Sequence, residues 1–233
     1  MKVQYFGDVN DYRKYILLRR IASELKIGVC WMLTPDDTGR DGANRSYLTD
    51  PAKWRFLDPD LFDFLTSVQQ PPTVDCFNSL SEAGMISGAT FFADEVPQSR
   101  EERARFHAEC RRTFVDREMV FFDPDNGLEV PSHPRGHAKA RKYVFYDELR
   151  AHYDDGKSVL VYQHFNRVPR NAFIATTTKR IASEFSRCEV AVFRTTHVVF
   201  FAAVRPEHRM SLSRVRESLR DVAAEVKVYP VVP

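Results

Sequence analysis

The residues best placed to do chemistry are polar side chains that directly follow an apolar run. Met119 to Phe122 has the character of a short buried strand, and Asp123-Pro124-Asp125-Asn126 comes directly after it. Because proline blocks continuation of a strand, these polar groups would lie at its carboxyl end. A carboxylate there could accept hydrogen bonds from an amino group, and the rigid proline peptide could aim a carbonyl oxygen at the same group. The alternative is a solvated turn that joins two elements.

Two basic segments come after this loop in the sequence. The first lies between Pro131 and Lys142, and the second is Tyr162 to Arg167. Their cationic side chains could contact the phosphates of a nucleic acid, and the rings of the second could stack on a base. A solvated basic loop and a strand end that packs its rings into the core are the competing interpretations. The candidate substrate-binding residues are His133, Arg135, His137, Lys139, Arg141, Lys142, His164 and Arg167.

Apolar runs alternate with helical patterns along the chain. Strands are predicted at Val29–Leu33, Ala89–Ala93, Met119–Phe122 and Ser158–Tyr162, and helices at Asp11–Lys26, Pro59–Val68, Gln98–Phe114 and Asn171–Phe185. Val190–Phe193 and His197–Val204 predict an antiparallel final hairpin, and Ser213 is expected to cap a last helix. We therefore expect an α/β fold with a mostly parallel central sheet and helices on both faces. In such folds the ligand lies beyond the carboxyl ends of the strands.

Length and composition predict one globular domain over residues 1–233. The chain is 43% hydrophobic and 28% charged, and no Gly/Ser- or Pro-rich linker divides it. Its 34 Lys and Arg against 32 Asp and Glu give a net charge of +2. That charge is too small by itself to indicate nucleic-acid binding, so any basic surface must be local.

Cysteine usage and hydropathy predict a cytoplasmic protein with no membrane partner. The four cysteines form no CxxC pair and are interpreted as reduced thiols. The longest apolar run, Val198 to Val204, is too short to span a bilayer, and the first residues lack the apolar core of a signal peptide.

The Asp123 loop resembles a known signature. Asp123-Pro124-Asp125-Asn126 is similar to the Asp/Asn-Pro-Pro-aromatic motif of class I S-adenosylmethionine-dependent methyltransferases that modify exocyclic amino groups of nucleobases. The resemblance implies a Rossmann-like fold in which Asp123 and the carbonyl of Pro124 hold the amino nitrogen. In the family the aromatic residue stacks on the flipped base. Here Asp125 stands in place of the second proline and Asn126 in place of the aromatic; the four residues Asp123, Pro124, Asp125 and Asn126 form the predicted catalytic set.

A second resemblance concerns the start of the chain. Gly7, Asp11 and Lys14 resemble the Gly-x-x-x-Asp-x-x-Lys helix start of the large-subunit ribosomal RNA adenine methyltransferases. It implies that S-adenosylmethionine binds beyond the first strand, where the family has an acidic residue and closely spaced glycines. Here Leu33 stands in place of the acid, and only Gly39 and Gly42 remain. The candidate cofactor-binding residues are Lys14, Thr34, Asp37, Gly39, Asp94 and Glu95.

Two other functions fit the same residues. Six acidic side chains could converge on magnesium or manganese and make the protein a metal-dependent nuclease or phosphohydrolase; they are Asp36, Asp37, Asp41, Asp123, Asp125 and Glu129. A methyltransferase-like domain that has lost its cofactor and only binds a partner is the third hypothesis. The altered glycine loop favours these two, whereas the two resemblances favour methyl transfer to adenine of a nucleic-acid or nucleotide substrate. The sequence leaves RNA or DNA, and the oligomeric state, open.

Overall fold

The computed structural model describes residues 1–35 and 44–229 and contains nine strands. They are β1 (Ile27–Cys30), β2 (Thr90–Phe92), β3 (Met119–Phe122), β4 (Gly127–Leu128), β5 (Tyr143–Val144), β6 (Ser158–His164), β7 (Glu189–Arg194), β8 (Val198–Val204) and β9 (Lys227–Val228). Seven of these strands form one sheet in the order β2-β1-β3-β6-β8-β7-β9, and β4 pairs with β5 separately.

The same part of the chain contains eight α-helices. They are α1 (Val9–Ala22), α2 (Pro51–Trp54), α3 (Pro59–Ser67), α4 (Asp75–Glu82), α5 (Arg100–Thr113), α6 (Tyr146–Asp154), α7 (Arg170–Glu184) and α8 (Arg209–Ser218). Short 3-10 helices occur at Val3–Tyr5, Ser46–Thr49, Arg55–Leu57, Ala140–Lys142 and Pro206–His208. Ser213 lies inside α8 instead of capping it, because the chain turns into this helix earlier, through the 3-10 segment that begins with Pro206.

The sheet is mixed, so the expectation of a mostly parallel sheet was too strong. β2, β1, β3 and β6 run parallel to one another, whereas β8 is antiparallel to β6 and to β7. The β7–β8 hairpin that the sequence predicted is confirmed. β9 adds one more antiparallel pair at the edge, because the chain after α8 returns beside β7.

Alternate residues of the strands face two separate cores, one on each side of the sheet. In β3, Met119 and Phe121 pack into the core beneath α1 and α8, whereas Val120 and Phe122 pack into the core beneath α5, α6 and α7. All four side chains are fully buried. A strand that is apolar at every position is what burial on both faces requires, and the expected helices on both faces are present.

α1 carries the polar side chains that matter for the site, and its start is fixed by Asp8. The Asp8 carboxylate accepts hydrogen bonds from the backbone N–H groups of Asn10 and Asp11, both at 2.8 Å. The helix then runs through the core, with Tyr12 and Ile16 fully buried. As a result, polar residues of its first turns lie inside the protein instead of in solvent.

Close packing of β1 on the end of α5 leads to a stability prediction. A Cβ atom added at Gly28 would lie 2.6 Å from the ring of Phe114, which is fully buried. Gly28→Ala should therefore lower the free energy of unfolding by about 1–3 kcal/mol, measured by urea denaturation. The same substitution in a Phe114→Leu background should cost less, because the smaller side chain leaves room. Equal costs in the two backgrounds would contradict this contact.

Candidate active site

The candidate site lies where the order of the strands reverses. From β1 the chain moves to β2 on one side and then to β3 on the other, so the carboxyl ends of β1 and β3 form a topological switch point. A cavity of about 420 Å³ opens there. It is lined by Met1, Lys2, Tyr5, Asp8, Asn10, Asp11, Lys14, Asp123, Pro124, Asp125, Asn126, Lys142, Tyr162 and His164.

A buried lysine joins α1 to the loop after β3. The Nζ atom of Lys14 lies 2.7 Å from Oδ1 of Asp11 and 2.6 Å from Oδ2 of Asp123. The three residues are between 1% and 4% exposed. Asp11 also accepts hydrogen bonds from the backbone N–H of Gly7 and the hydroxyl of Tyr15. The three motif residues of the chain's start, Gly7, Asp11 and Lys14, thus form one network with Asp123.

Charge and burial oppose each other in this network. Burial acts to lower the pKa of Lys14, but the charges of Asp11 and Asp123 outweigh it and raise that pKa above its ordinary value. Burial raises the pKa of Asp123, and the Lys14 charge opposes this rise only in part. The ammonium also lies 5.2–5.6 Å from the ring centres of Tyr15, Trp31 and Tyr162. The site therefore holds one cation between two carboxylates in an aromatic shell.

The rest of the loop is held by two lysines and by its backbone. Asp125 is 7% exposed, and its Oδ2 atom lies 3.1 Å from Nζ of Lys142 and 3.9 Å from Nζ of Lys2. The backbone N–H of Asn126 donates to the carbonyl of Lys142 at 2.8 Å. These contacts attach the end of the basic segment to the cavity.

A glutamine from the neighbouring strand fixes the shape of the same loop. The side chain of Gln163, in β6, accepts a hydrogen bond from the N–H of Leu128 and donates to the carbonyls of Asn126 and His164. Gly127 has a φ of +130°, and a Cβ atom there would lie 2.3 Å from the Gln163 amide oxygen. Only glycine fits under this clamp.

Carbonyl oxygens converge between the ends of β1 and β3. The ammonium group of Met1 donates to the carbonyls of Trp31, Met32 and Asp123 at 3.4, 2.7 and 2.9 Å. The backbone N–H of Thr34 donates in turn to the carbonyl of Met1. The crevice thus places three carbonyl oxygens around one amino group, and burial lowers the pKa of that group from 8.0 to about 6.

Several of the predicted site residues come together here. Those that line the cavity are Lys14, Asp123, Pro124, Asp125, Asn126, Lys142 and His164. Thr34 is buried beside Met1, and the exposed Asp94 and Glu95 follow β2, next to Leu33. Asp37 and Gly39 lie outside the described residues, as do Asp36, Asp41 and Gly42.

Most of the first basic segment does not line the cavity, because other groups engage it. Arg135 pairs with Asp147 and lies over the ring of Phe145. Arg141 lies 3.7 Å from Glu95. The rings of His133 and His137 pack together, and Lys139 is exposed; none of the three lines the cavity. Arg167, from the second basic segment, is also exposed and does not line it.

Sequence reasoning missed residues before α1 and in its first turn. Lys2, Tyr5, Asp8 and Asn10 all line the cavity. Asp8 could have been found, because Asp just before a helical pattern is a typical N-cap. Lys2 and Tyr5 lie at and within the 3-10 helix Val3–Tyr5, and Asn10 lies in the first turn of α1; only the folded chain brings them to the cavity.

The carboxylates of the metal hypothesis are engaged by cations where the structure describes them. Asp123 and Asp125 face lysines, and Glu129 lies 3.2 Å from Arg180. Within residues 1–35 and 44–229 no group of three or more His, Cys, Asp or Glu side chains is arranged to hold a metal ion. The metal-dependent reaction stays a prediction, which the experiments below address.

Two bulk predictions concern cysteine chemistry and membranes. The four cysteines carry free thiols, as predicted. In the described part of the chain, every helix is too short or too polar to cross a bilayer.

Removing the central cation should destabilise the fold. Lys14→Met leaves two carboxylates buried without their partner, and we expect the free energy of unfolding at about pH 7 to fall by about 3–5 kcal/mol. The loss should shrink in acid, where Asp123 becomes protonated. Arg20 lies on the same helix as Lys14 and pairs at the surface with Asp221, which follows α8. Arg20→Met is the matched control and should cost about 1 kcal/mol or less. Similar losses in both variants by urea denaturation would refute the central role of Lys14.

The helix cap predicts a pH dependence of stability. Burial and the nearby charge of Asp11 raise the pKa of Asp8 from 3.8 to about 7. Between these values the folded state keeps a proton that the unfolded state releases, so this group's contribution to stability is lost as the pH rises. Asp8→Asn preserves the cap but cannot titrate.

The Asp8→Asn variant should therefore gain stability relative to the parent protein between about pH 4 and 7. The gain should reach up to about 1.4 kcal/mol per pH unit, measured by urea denaturation at several pH values. A stability difference that does not change with pH would contradict the raised pKa of Asp8.

Comparisons with known proteins place the chain at a distance from characterised families. No protein-family model and no curated protein matches it. Among solved structures, the chain is similar to protein LPL1258 from Legionella pneumophila strain Philadelphia 1, which is described with the family model DUF519. The identity is 10% and the TM-score 0.47, over 97% of each chain. A likeness this remote says nothing about function.

Proposed function

We propose that this protein is a Rossmann-like, S-adenosylmethionine-dependent methyltransferase that acts on the exocyclic amino group of adenine in a nucleic acid. The observation that carries the proposal is the position of Asp123 and Pro124. They lie at the carboxyl end of β3, beside the switch point, on the wall of the cavity, and Asp123 is held by Lys14 from the other resembling motif. Two short motifs that are far apart in the sequence thus meet at the position where α/β folds bind ligands.

The residues at the switch point fit the methionine part of the cofactor. The ammonium group of S-adenosylmethionine needs three acceptors, and the carbonyls of Trp31, Met32 and Asp123 already surround one amino group, that of Met1. The cofactor ammonium and the Met1 ammonium would compete for the same oxygens, so binding requires Met1 to move aside. Asp94 and Glu95, exposed beyond β2, suit the hydroxyls of the ribose. When bound, S-adenosylmethionine supplies a methyl group on a positively charged sulfur.

The protein's contribution to such a reaction is alignment. Lys14 fixes one oxygen of the Asp123 carboxylate. This carboxylate and the Pro124 carbonyl would each accept a hydrogen bond from one N–H of the amino group and so aim its nitrogen. Because Lys14 is buried and paired on both sides, it holds Asp123 in place instead of exchanging protons with substrate. Little acid-base chemistry is needed, since a correct approach of nitrogen to methyl supplies most of the rate.

The rim of the cavity suits a nucleic-acid strand. Lys142, whose side chain is 27% exposed, lies at the loop around Asp125, and His164 is exposed at the end of β6, whereas Lys2 is buried deeper in the cavity wall. Cations near the site neutralise phosphates, which is the sequence-independent part of nucleic-acid binding. The contacts do not distinguish RNA from DNA, so both belong in the test.

The first experiment is a calorimetric titration with S-adenosylmethionine and S-adenosylhomocysteine, repeated with magnesium and manganese. We expect saturable binding of both cofactor forms. Methyl transfer from tritiated S-adenosylmethionine to adenine-containing RNA and DNA oligonucleotides then measures activity. Metal binding without cofactor binding would favour the nuclease or phosphohydrolase, and binding of neither would favour the cofactor-less domain; each outcome rejects the proposal.

Substitutions at Asp123 test its role. Asp123→Ala should reduce methyl transfer at least about a hundredfold, because the oxygen that aims the amino group is lost. Asp123→Asn keeps such an oxygen and should retain part of the activity. Asp221→Ala, which removes an exposed carboxylate away from the cavity, is the control and should transfer methyl groups like the parent.

Cofactor titration and urea denaturation of each Asp123 variant separate loss of alignment from loss of folding. Activity of a folded Asp123→Ala protein equal to that of the Asp221→Ala control would reject the assigned role.

A further inference from the structure

The cavity is bordered by three aromatic rings, and two of them are engaged inside the protein. The ring of Tyr162 is buried, contacts Lys14 and packs edge-on against Phe200. The Tyr5 hydroxyl accepts a hydrogen bond from Lys2, whose ammonium also lies 5.3 Å from the centre of the Tyr5 ring. His164 is different: its side chain is exposed, and its ring packs edge-on against Tyr162 with the centres 5.1 Å apart.

His164 and Asn126 are neighbours in space although they belong to different strands and loops. The backbone N–H of His164 donates to the carbonyl of Asn126 at 3.2 Å, and the side chain of Gln163 bonds both residues' carbonyl oxygens. Both side chains line the same cavity. A ring at position 164 therefore lies on the same rim as the side chain at position 126.

We propose that His164 is the platform on which the target base stacks, so that β6 supplies the aromatic surface that the Asp123–Asn126 loop lacks. The inference rests on the proposed function and specifies how its substrate is held. Enzymes that modify a base take it out of the stack and hold it against aromatic side chains. An imidazole ring that packs edge-on against a buried tyrosine, on a backbone bonded by Gln163, presents such a surface in the cavity that Asp123 also lines.

The structure favours a ring that stacks over one that transfers protons. Burial lowers the pKa of His164, and the charge of Asp125 opposes this only in part, so the ring is held in its neutral form. Its ring contact in this structure is an edge-on one with Tyr162. Asn126 beside it can still offer its side-chain amide to the edge of a base, since an amide both donates and accepts hydrogen bonds. The pair would divide recognition, with His164 stacking and Asn126 bonding.

The test compares two short single-stranded RNAs, one with a single adenine among uracils and one that is abasic at that position. The dissociation constant for the abasic RNA divided by that for the adenine RNA measures how much the base contributes, since both RNAs have the same phosphates. His164→Ala should reduce this ratio roughly ten- to a hundredfold, which corresponds to the loss of one aromatic stacking contact. His164→Phe should preserve it. Phe56→Ala removes an exposed ring that does not line the cavity and should leave the ratio unchanged.

A rescue variant makes the proposal specific. Asn126→Tyr in the His164→Ala background restores a ring to the same part of the rim and should recover at least part of the preference for adenine. A preference unchanged in His164→Ala would overturn the proposal. So would a loss that neither His164→Phe nor Asn126→Tyr restores, because the imidazole would then act through its nitrogen atoms.

Cofactor binding by the parent protein distinguishes a wrong role for His164 from a wrong proposed function. If the parent protein binds S-adenosylmethionine and prefers the adenine RNA, but His164→Ala keeps that preference, only the role of His164 is wrong. If the parent protein binds neither, the proposed function fails and the role of His164 fails with it.

Discussion

The site depends on one buried charge, the ammonium of Lys14 between the carboxylates of Asp11 and Asp123. A cation with so little solvent is tolerated only because both partners are within hydrogen-bonding distance and because aromatic rings surround it. The same contacts join the first helix to the loop after β3, so the geometry of the cavity and the stability of the fold rest on one network. This explains why polar residues of α1 lie in the protein interior.

The loop that begins at Asp123 is held from several directions at once. Lys14 binds its first residue, Lys142 binds Asp125, and Gln163 binds the backbone around Gly127. A loop restrained in this way keeps its carbonyl and carboxylate oxygens in fixed directions without regular secondary structure. Preorganisation of that kind is what a reaction governed by alignment requires, and it relates the packing of β6 to the proposed chemistry.

The surroundings of the cavity divide the proposed substrate contacts between the loop and the neighbouring strand. The family signature combines amino-group binding and base stacking in four consecutive residues. Here Asn126 cannot stack as an aromatic would, but the backbone of His164, at the end of β6, bonds that of Asn126, and both residues line the cavity. Functions that one motif carries in sequence can be distributed over two strands when those strands are adjacent in the sheet. A sequence motif does not reveal such a distribution, because the two contributing residues are far apart along the chain.

The sequence by itself determined six of the nine strands and five of the eight α-helices in the described residues, because apolar runs and helical spacing record burial directly; β3 and the β7–β8 hairpin were predicted almost residue for residue. It missed the short strands β4, β5 and β9 and the helices α2, α4 and α6. It also determined that Asp123 and Pro124 end a buried strand and that Asp11 and Lys14 belong to one helix. Only the tertiary structure decided that Lys14 meets Asp123, 109 residues away, that Arg135 turns to Asp147 while Lys142 reaches the cavity, and that the N-terminal residues line it. These are long-range pairings of charges, and which partner a long side chain reaches depends on how the elements pack, not on local spacing.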